Sequence, residues 1–310
     1  MAHIVAFVVN LLTSLALLAT VAVWLIIVDR LRHGRPLLRV EPRRDVPWHG
    51  RDVLAILVLY MLAGMLLGAV YKAFISPDIT LTPFGDTPDA MAKQHLLVDL
   101  FVKADWSVRI ACTLLAVVVA PVFEEMFFRL FLQGWLEKID RRLRRHSAAL
   151  ASLCRWGTLP VLITTVFFAL LHWRGERGAF ALDQTLFFML VDSIIKVLLV
   201  IAIIVLAHRL RGATWADLGV VPDQLGADVR LGLSTAAATI IPLYVVLGFL
   251  SYLLNKILPF YIAPDPILLF FFALVLGTLY LRTHRIVPSI VAHATLNAVG
   301  MVLMWLQVLS

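Results

Sequence analysis

Two adjacent carboxylates and a guanidinium interrupt one apolar run: Ala120-Pro121-Val122-Phe123-Glu124-Glu125-Met126-Phe127-Phe128-Arg129-Leu130-Phe131. A charged side chain at the centre of a membrane helix costs about 2.5 to 3.5 kcal/mol on insertion scales. Three within six positions therefore call for a purpose. On a helix, Glu125 and Arg129 stand four apart and share a face, so they can pair. Glu124 is turned by about 100° from Glu125 and has no such partner within the stretch. One acid is then neutralised and the other left free for chemistry; the alternative is a structural ion pair that locks a helix in a bundle. Pro121 cannot donate to the helix ladder and frees a carbonyl one turn back, so a local kink or opening is expected there.

Three further polar residues interrupt apolar segments. His172 follows Phe168 by four residues on the same helical face. It is either a site residue or an imidazole satisfied at a helix end. His293 and Asn297 are also four apart, and read either as site residues or as an interhelical polar clasp. Together these groups suit hydrolysis. A carboxylate with an imidazole can activate water as a general base, and His or Asn can donate to a developing oxyanion. No Ser or Cys sits in a GxSxG-like nucleophile context, and no HExxH occurs. Glu124, His172 and His293 also form a chemically possible zinc set. Asp192 and Lys196, four apart, can neutralise one another and read as structural.

The elements that must position these groups follow from composition. The chain has 310 residues, 61% hydrophobic and only 15% charged, with a mean hydropathy of +0.92. Soluble domains carry about 25% charged residues, so this chain must bury its apolar surface in lipid. Its net charge of +7 comes from short Arg runs between apolar segments. That is the positive-inside pattern of a membrane protein and not a nucleic-acid face. The two cysteines, Cys112 and Cys154, offer neither a disulfide framework nor a CxxC spacing.

Apolar spans are expected at about Ile4–Val28, Val53–Ala73, Trp106 through the Glu-Glu stretch, Leu159–Trp173, Thr185–Ala207, Leu231–Leu254, Ile267–Leu281 and Ile286–Leu309. The first reads as an anchor and not a cleaved signal. Arg30 to Arg51, Lys138 to Arg145, His208 to Asp228 and Arg282 to Arg285 should lie inside, with Gly212–Asp228 as a loop. Ser76–Gln94 should face outward. Residues 1–310 thus read as a single all-α integral membrane domain, a polytopic bundle of about eight spans with both termini outside. Period-2 alternation is absent, which disfavours a membrane barrel. The expected location is the cell (inner) membrane.

The motifs resemble those of the CAAX prenyl protease and bacteriocin-processing membrane proteases, the ABI family. That family carries EExxxR, FxxxH and HxxxN in separate membrane helices. Here they match Glu124 to Arg129, Phe168 to His172 and His293 to Asn297, and Leu276-Gly277-Thr278 with Pro288-Ser289 resembles the approach to the last motif. The resemblance implies a glutamate-dependent intramembrane endopeptidase. Glu124 and His172 would activate water, His293 and Asn297 would form the oxyanion site, and Glu125 with Arg129 would hold the architecture.

It also implies no metal, with zinc as the alternative, and a peptide or prenylated-protein substrate met in membrane lipid. Prenylated CaaX ends and bacteriocin-related peptides are both open. The rival reading is a non-enzymatic scaffold or transporter component. The resemblance divides the chain into N-terminal spans and loops at 1–105, a protease-like core at 106–173 and 267–310, and an inserted helix pair at 174–266. An even number of inserted crossings returns the chain to the same side. Depth is a difficulty. His172 falls near the outer end of its span and His293 about two turns from the inner end of its own, so their meeting needs tilt, a broken helix or a different boundary.

Overall fold

A computed structural model of the chain describes residues 2–38, 40–41, 45–74, 105–146, 157–172, 182–257 and 265–309. The fold is an all-α bundle, with no strand among the described residues. Its helices are α1 (Ala2–Arg32), α2 (Gly50–Phe74), α3 (Trp106–His146), α4 (Leu159–Leu171), α5 (Leu182–Val205), α6 (Leu225–Ile257), α7 (Asp265–Thr283) and α8 (Ile286–Leu309). Six of the described helices are long and apolar enough to cross a membrane; α4 and α7 are shorter apolar helices. Each of the eight expected spans coincides with one of these helices. The Ser76–Gln94 loop, Cys154 and the outer turns at 173–178 and 259–264 lie outside the described residues.

Large apolar side chains such as Leu25, Met65, Leu198 and Phe249 point outward from the bundle and are exposed. On helices, which bond their backbone groups internally, such a surface suits hydrocarbon and not water. One boundary differs from the sequence reading. The Gly212–Asp228 loop ends early, because a short turn at Pro222–Gln224 runs directly into α6 at Leu225. Pro222 at the first helical position, with Asp223 and Asp228 in the opening turns, suits a helix start by fixed φ and by charge against the helix dipole.

Four packings place the site. The Ala120–Glu125 part of α3 lies between α5 and α8; α7 packs along α4; α8 packs along α6; α2 packs on α5. The helices of the 174–266 stretch therefore bear directly on α3 and α8. The end of the bundle around the α7–α8 turn is tied by polar contacts. Arg285, at the start of α8, meets Glu41 at 3.2 Å and pairs with buried Asp228 of α6. The preceding loop closes on the α7–α8 turn at Gly219, which has φ +70°. A Cβ there would stand 2.7 Å from the Ile286 nitrogen and 3.0 Å from the His284 carbonyl oxygen, both backbone, so only glycine fits.

Candidate active site

α3 is not wound uniformly, and the departures bracket Pro121. Leu115–Val119 and Met126–Gln133 are π-turns, with Ala120–Glu125 in ordinary α geometry between them. The opening expected at Pro121 takes this form. The Ala120 N–H donates to Leu115 and not to Ala116. In the wider register the next donor for Ala116 is the nitrogen of Pro121, which carries no hydrogen. The Ala116 carbonyl is thus released by two local causes acting together. The side chain of Asn297, on α8, donates its Nδ2–H to that oxygen at 2.8 Å. One of its two amide hydrogens is committed there, a bond that joins α8 to α3.

One turn further on, Glu125 and Arg129 are both fully buried. Arg129 Nε lies 3.3 Å from Glu125 Oε2, and the other carboxylate oxygen accepts the Nδ1–H of His293 at 2.9 Å. Glu125 therefore joins its own helix to α8 as well as to Arg129. The guanidinium also reaches the Thr164 hydroxyl of α4 at 3.5 Å. Below it, Gln133 donates to the Gly277 carbonyl at 2.9 Å and to Glu137 at 3.0 Å. Glu125, Arg129, Gln133 and Glu137 form a buried polar row spaced by four. The sequence reading covers only the first two, although the spacing of Gln133 and Glu137 carries the same signal.

Gly277 of α7 faces this row without a side chain. A Cβ there would stand 2.8 Å from Val161 Cγ1, 3.2 Å from Gln133 Oε1 and 3.4 Å from Arg129 Nη1. Gly277→Ala is expected to lower thermal stability in detergent by about 1 to 3 kcal/mol, the range for overpacking. Unchanged unfolding would show that α7 gives way freely.

Glu124 sits on the neighbouring face, and its partners come from other helices. Its Oε2 is 3.6 Å from His172 Nε2 and 3.8 Å from His293 Nε2. Both imidazoles are held by their opposite nitrogens. His172 Nδ1 lies 2.8 Å from the Phe168 carbonyl, which can only accept, so Nδ1 carries the hydrogen. The same carbonyl also accepts the His172 backbone N–H at 3.2 Å, which ties the ring to the turn that ends α4. His293 Nδ1–H is given to Glu125. In the neutral rings both Nε2 lone pairs then face one carboxylate oxygen. Three proton acceptors converge across gaps longer than a direct hydrogen bond, and a proton donor placed among them is bound from several sides.

Aromatic rings hold this geometry. Phe168 is fully buried and stacks on His172 with ring centres 4.2 Å apart. Phe272 of α7 stands edge-on to His293 at 5.4 Å. The FxxxH spacing thus supplies a carbonyl acceptor and a ring platform from one residue.

The depth difficulty resolves through helix length. α4 has 13 residues, about 20 Å at 1.5 Å per residue, against a hydrocarbon core of about 30 Å. His172 directly follows this short helix, and the structure brings it to the same Glu124 oxygen that His293 approaches. Glu124, Glu125, Arg129, His172 and His293 are brought together by contacts of 3.8 Å or less, and Asn297 binds α3 further along, at Ala116. Among the described residues, no three His, Cys, Asp or Glu side chains are grouped to hold a metal ion.

Comparison with known proteins gives the family of the chain. Neither the curated proteins nor the solved structures contain a match to the chain. The profile of one family, the type II CAAX prenyl endopeptidases described as Rce1-like, matches residues 106–299, more than half of the chain. The matched range begins at the first residue of α3 and takes in Glu124, Glu125, Arg129, His172, His293 and Asn297. By that match the chain belongs to the Rce1-like type II CAAX prenyl endopeptidase family.

Proposed function

We propose that the chain is an intramembrane endopeptidase in which Glu124 and His172 activate a water molecule for attack on a peptide carbonyl. The observation that carries this reading is the convergence of two imidazole Nε2 atoms on one Glu124 oxygen, with both Nδ1 hydrogens committed elsewhere. A water among these groups gives a proton to Glu124 or His172 as its oxygen bonds to the carbonyl carbon. In the form that acts, His293 carries a second proton at Nε2, taken from solvent before the reaction; that N–H donates to the resulting oxyanion while Nδ1–H stays on Glu125. The second amide hydrogen of Asn297 is a further donor. The proton taken from water passes to the leaving amine as the C–N bond breaks. Arg129 stays apart from the reacting atoms and holds Glu125.

The substrate we propose is a prenylated protein or peptide ending in CaaX, met within the lipid of the membrane, and not a nucleic acid. The family description supports that class over a bacteriocin-related peptide. The test is cleavage of a farnesylated CaaX peptide by purified protein in proteoliposomes, with products identified by mass. A single cut after the prenylated cysteine is expected, and an unprenylated peptide should be cut far more slowly. A complete absence of cleavage would favour the scaffold reading.

The reaction we propose routes no step through a metal, and zinc on Glu124, His172 and His293 is the alternative chemistry. Elemental analysis of active protein separates the two. Without zinc in the mechanism, cleavage should survive a strong chelator and show no stoichiometric zinc. One zinc per chain, with activity lost to chelation and restored by the metal, would replace the metal-free scheme.

A further inference from the structure

A second polar cavity lies away from the Glu124 cluster, at the end of the bundle around the α7–α8 turn. Its volume is about 250 Å³. The α1–α2 connection contributes Glu41 and Asp45, α3 contributes Glu137, the stretch before α6 contributes Asp217, and the α7–α8 turn region contributes Tyr280 and Arg285. The lining thus holds four carboxyl groups against one guanidinium. That guanidinium is shared, since Arg285 meets Glu41 at 3.2 Å and also pairs with buried Asp228. Asp45 pairs with Arg141. Lys138, beside Glu137 in the chain, is held by the carbonyls of Val46 and Trp48 at 2.8 and 3.1 Å.

A second observation is independent of this charge. Tyr280 is only 2% exposed, yet it lines the cavity, and its hydroxyl makes no hydrogen bond among the described residues. A buried hydroxyl without a partner is costly, so the phenol reads as one half of a bond to an occupant. Asp217 uses Oδ2 for the N–H and hydroxyl of Thr214, at 2.8 and 2.7 Å, and Oδ1 has no hydrogen bond among the described residues. Gly134 keeps the wall beside Tyr280 open. A Cβ there would stand 3.0 Å from Val46 Cγ1 and 3.5 Å from the Tyr280 hydroxyl. These acceptors match a cation that carries several N–H donors and no acceptor, as an ammonium or guanidinium does. Among the described residues, no three carboxylates are grouped to hold a metal ion, which favours an organic cation.

α3 runs from the Glu124 cluster to this cavity. Glu125 and Glu137 are twelve positions apart, at most about 18 Å at 1.5 Å per residue. An extended peptide covers that distance in about five or six residues. A CaaX segment often carries basic residues upstream of its prenylated cysteine. We propose that the cavity receives a lysine or arginine side chain of the substrate, about five or six residues before the prenylated cysteine, with Tyr280, Asp217 and Glu137 as its acceptors. The cavity is then a specificity site apart from the reacting groups. This rests on the reading of the chain as a CaaX endopeptidase that acts at Glu124.

The test uses farnesylated CaaX peptides that are neutral upstream of the cysteine except for one lysine, placed two, five, six or ten residues before it, beside a parent without lysine. Proteoliposomes of neutral lipid are used, so that the lysine is not drawn to the membrane surface itself. In wild type, a lysine at five or six should lower KM by about tenfold with kcat unchanged, the size expected of hydrogen bonds to a charged group. A lysine at two or ten should change little. Y280F and D217N should each lose most of the effect and cut the parent peptide as wild type does. Y280F keeps the ring that stands edge-on to His284, and D217N keeps an oxygen for Thr214. If one variant does not fold, the other decides, together with the position dependence in wild type. Equal KM for all peptides in wild type, or an effect kept in full by both variants, would overturn the proposal and leave the peptidase reading standing. A wild-type protein that cuts none of the peptides would sink the peptidase reading instead. Binding of dye-labelled peptides to the same proteoliposomes would then decide the cavity: tighter binding of the lysine peptide, weakened in Y280F, supports it, and equal binding overturns it.

Discussion

Glu124→Gln leaves a folded, membrane-inserted protein whose cleavage rate is lower by about 10³-fold or more. General-base groups contribute about 10² to 10⁴, and two further considerations place this one toward the upper end. Gln matches Glu in size, so the packing of α3 between α5 and α8 is kept. Yet its amide has no basic oxygen, and its N–H can donate to the Nε2 of His172 or His293, which stand 3.6 and 3.8 Å from the carboxylate oxygen. The substitution thus removes one base and occupies another. Glu124 lies at the edge of the buried cluster, its side chain 13% exposed, so loss of its charge leaves no deeply buried partner stranded. Initial rates with the farnesylated peptide should show kcat falling while KM stays within a few-fold, with thermal unfolding close to wild type. A scaffold would show the reverse: a stability change and no cleavage to lose. Wild-type turnover in Glu124→Gln would refute the assigned chemistry.

The parts of this arrangement that are local in the chain can be read without coordinates, and the parts made by chain crossing cannot. The Glu125–Arg129 pair follows from four-residue spacing alone, as do the span positions from runs of apolar residues. The bond from His293 to Glu125 joins residues 168 apart, and no periodicity reports such a contact. The partners of Glu124 are missing from its own stretch for the same reason.

Pro121 is an intermediate case. A freed carbonyl one turn back is foreseeable, but α-helical counting points to Val117. The π-turn shifts the orphaned acceptor to Ala116, and Asn297 meets it there. Span counting misplaces the depth of His172 because it assumes spans of full length, and α4 has only 13 residues. The neutral pairing of Lys196 with Asp192 is as its spacing suggests, but a pair that satisfies itself on a helix face gives no hint of the Tyr60 hydroxyl that reaches Asp192 from α2.

The buried ion pair should have the largest effect on stability. Arg129→Leu is expected to destabilise the protein by about 3 to 5 kcal/mol, because it strands the Glu125 carboxylate in a site with no exposure to solvent. His293 alone then faces that charge at 2.9 Å. A ring drawn into pairing with Glu125 is also one whose Nε2 no longer serves the reacting carbonyl freely. Glu125→Gln with Arg129→Leu removes both charges together. Replacing a whole buried pair is often neutral, so the double variant should regain most of the lost stability. Cleavage should not return with it. An amide in place of the Glu125 carboxylate holds the His293 ring less firmly and does not stabilise its protonated form. Thermal unfolding in detergent and initial rates on the same preparations separate the two quantities. Recovery of the fold without recovery of turnover would place Glu125 in both roles, joined to Arg129 for stability and to His293 for catalysis. A double variant as unstable as Arg129→Leu would show that the residues act through packing around Thr164 and Phe168, and that their mutual charge matters little.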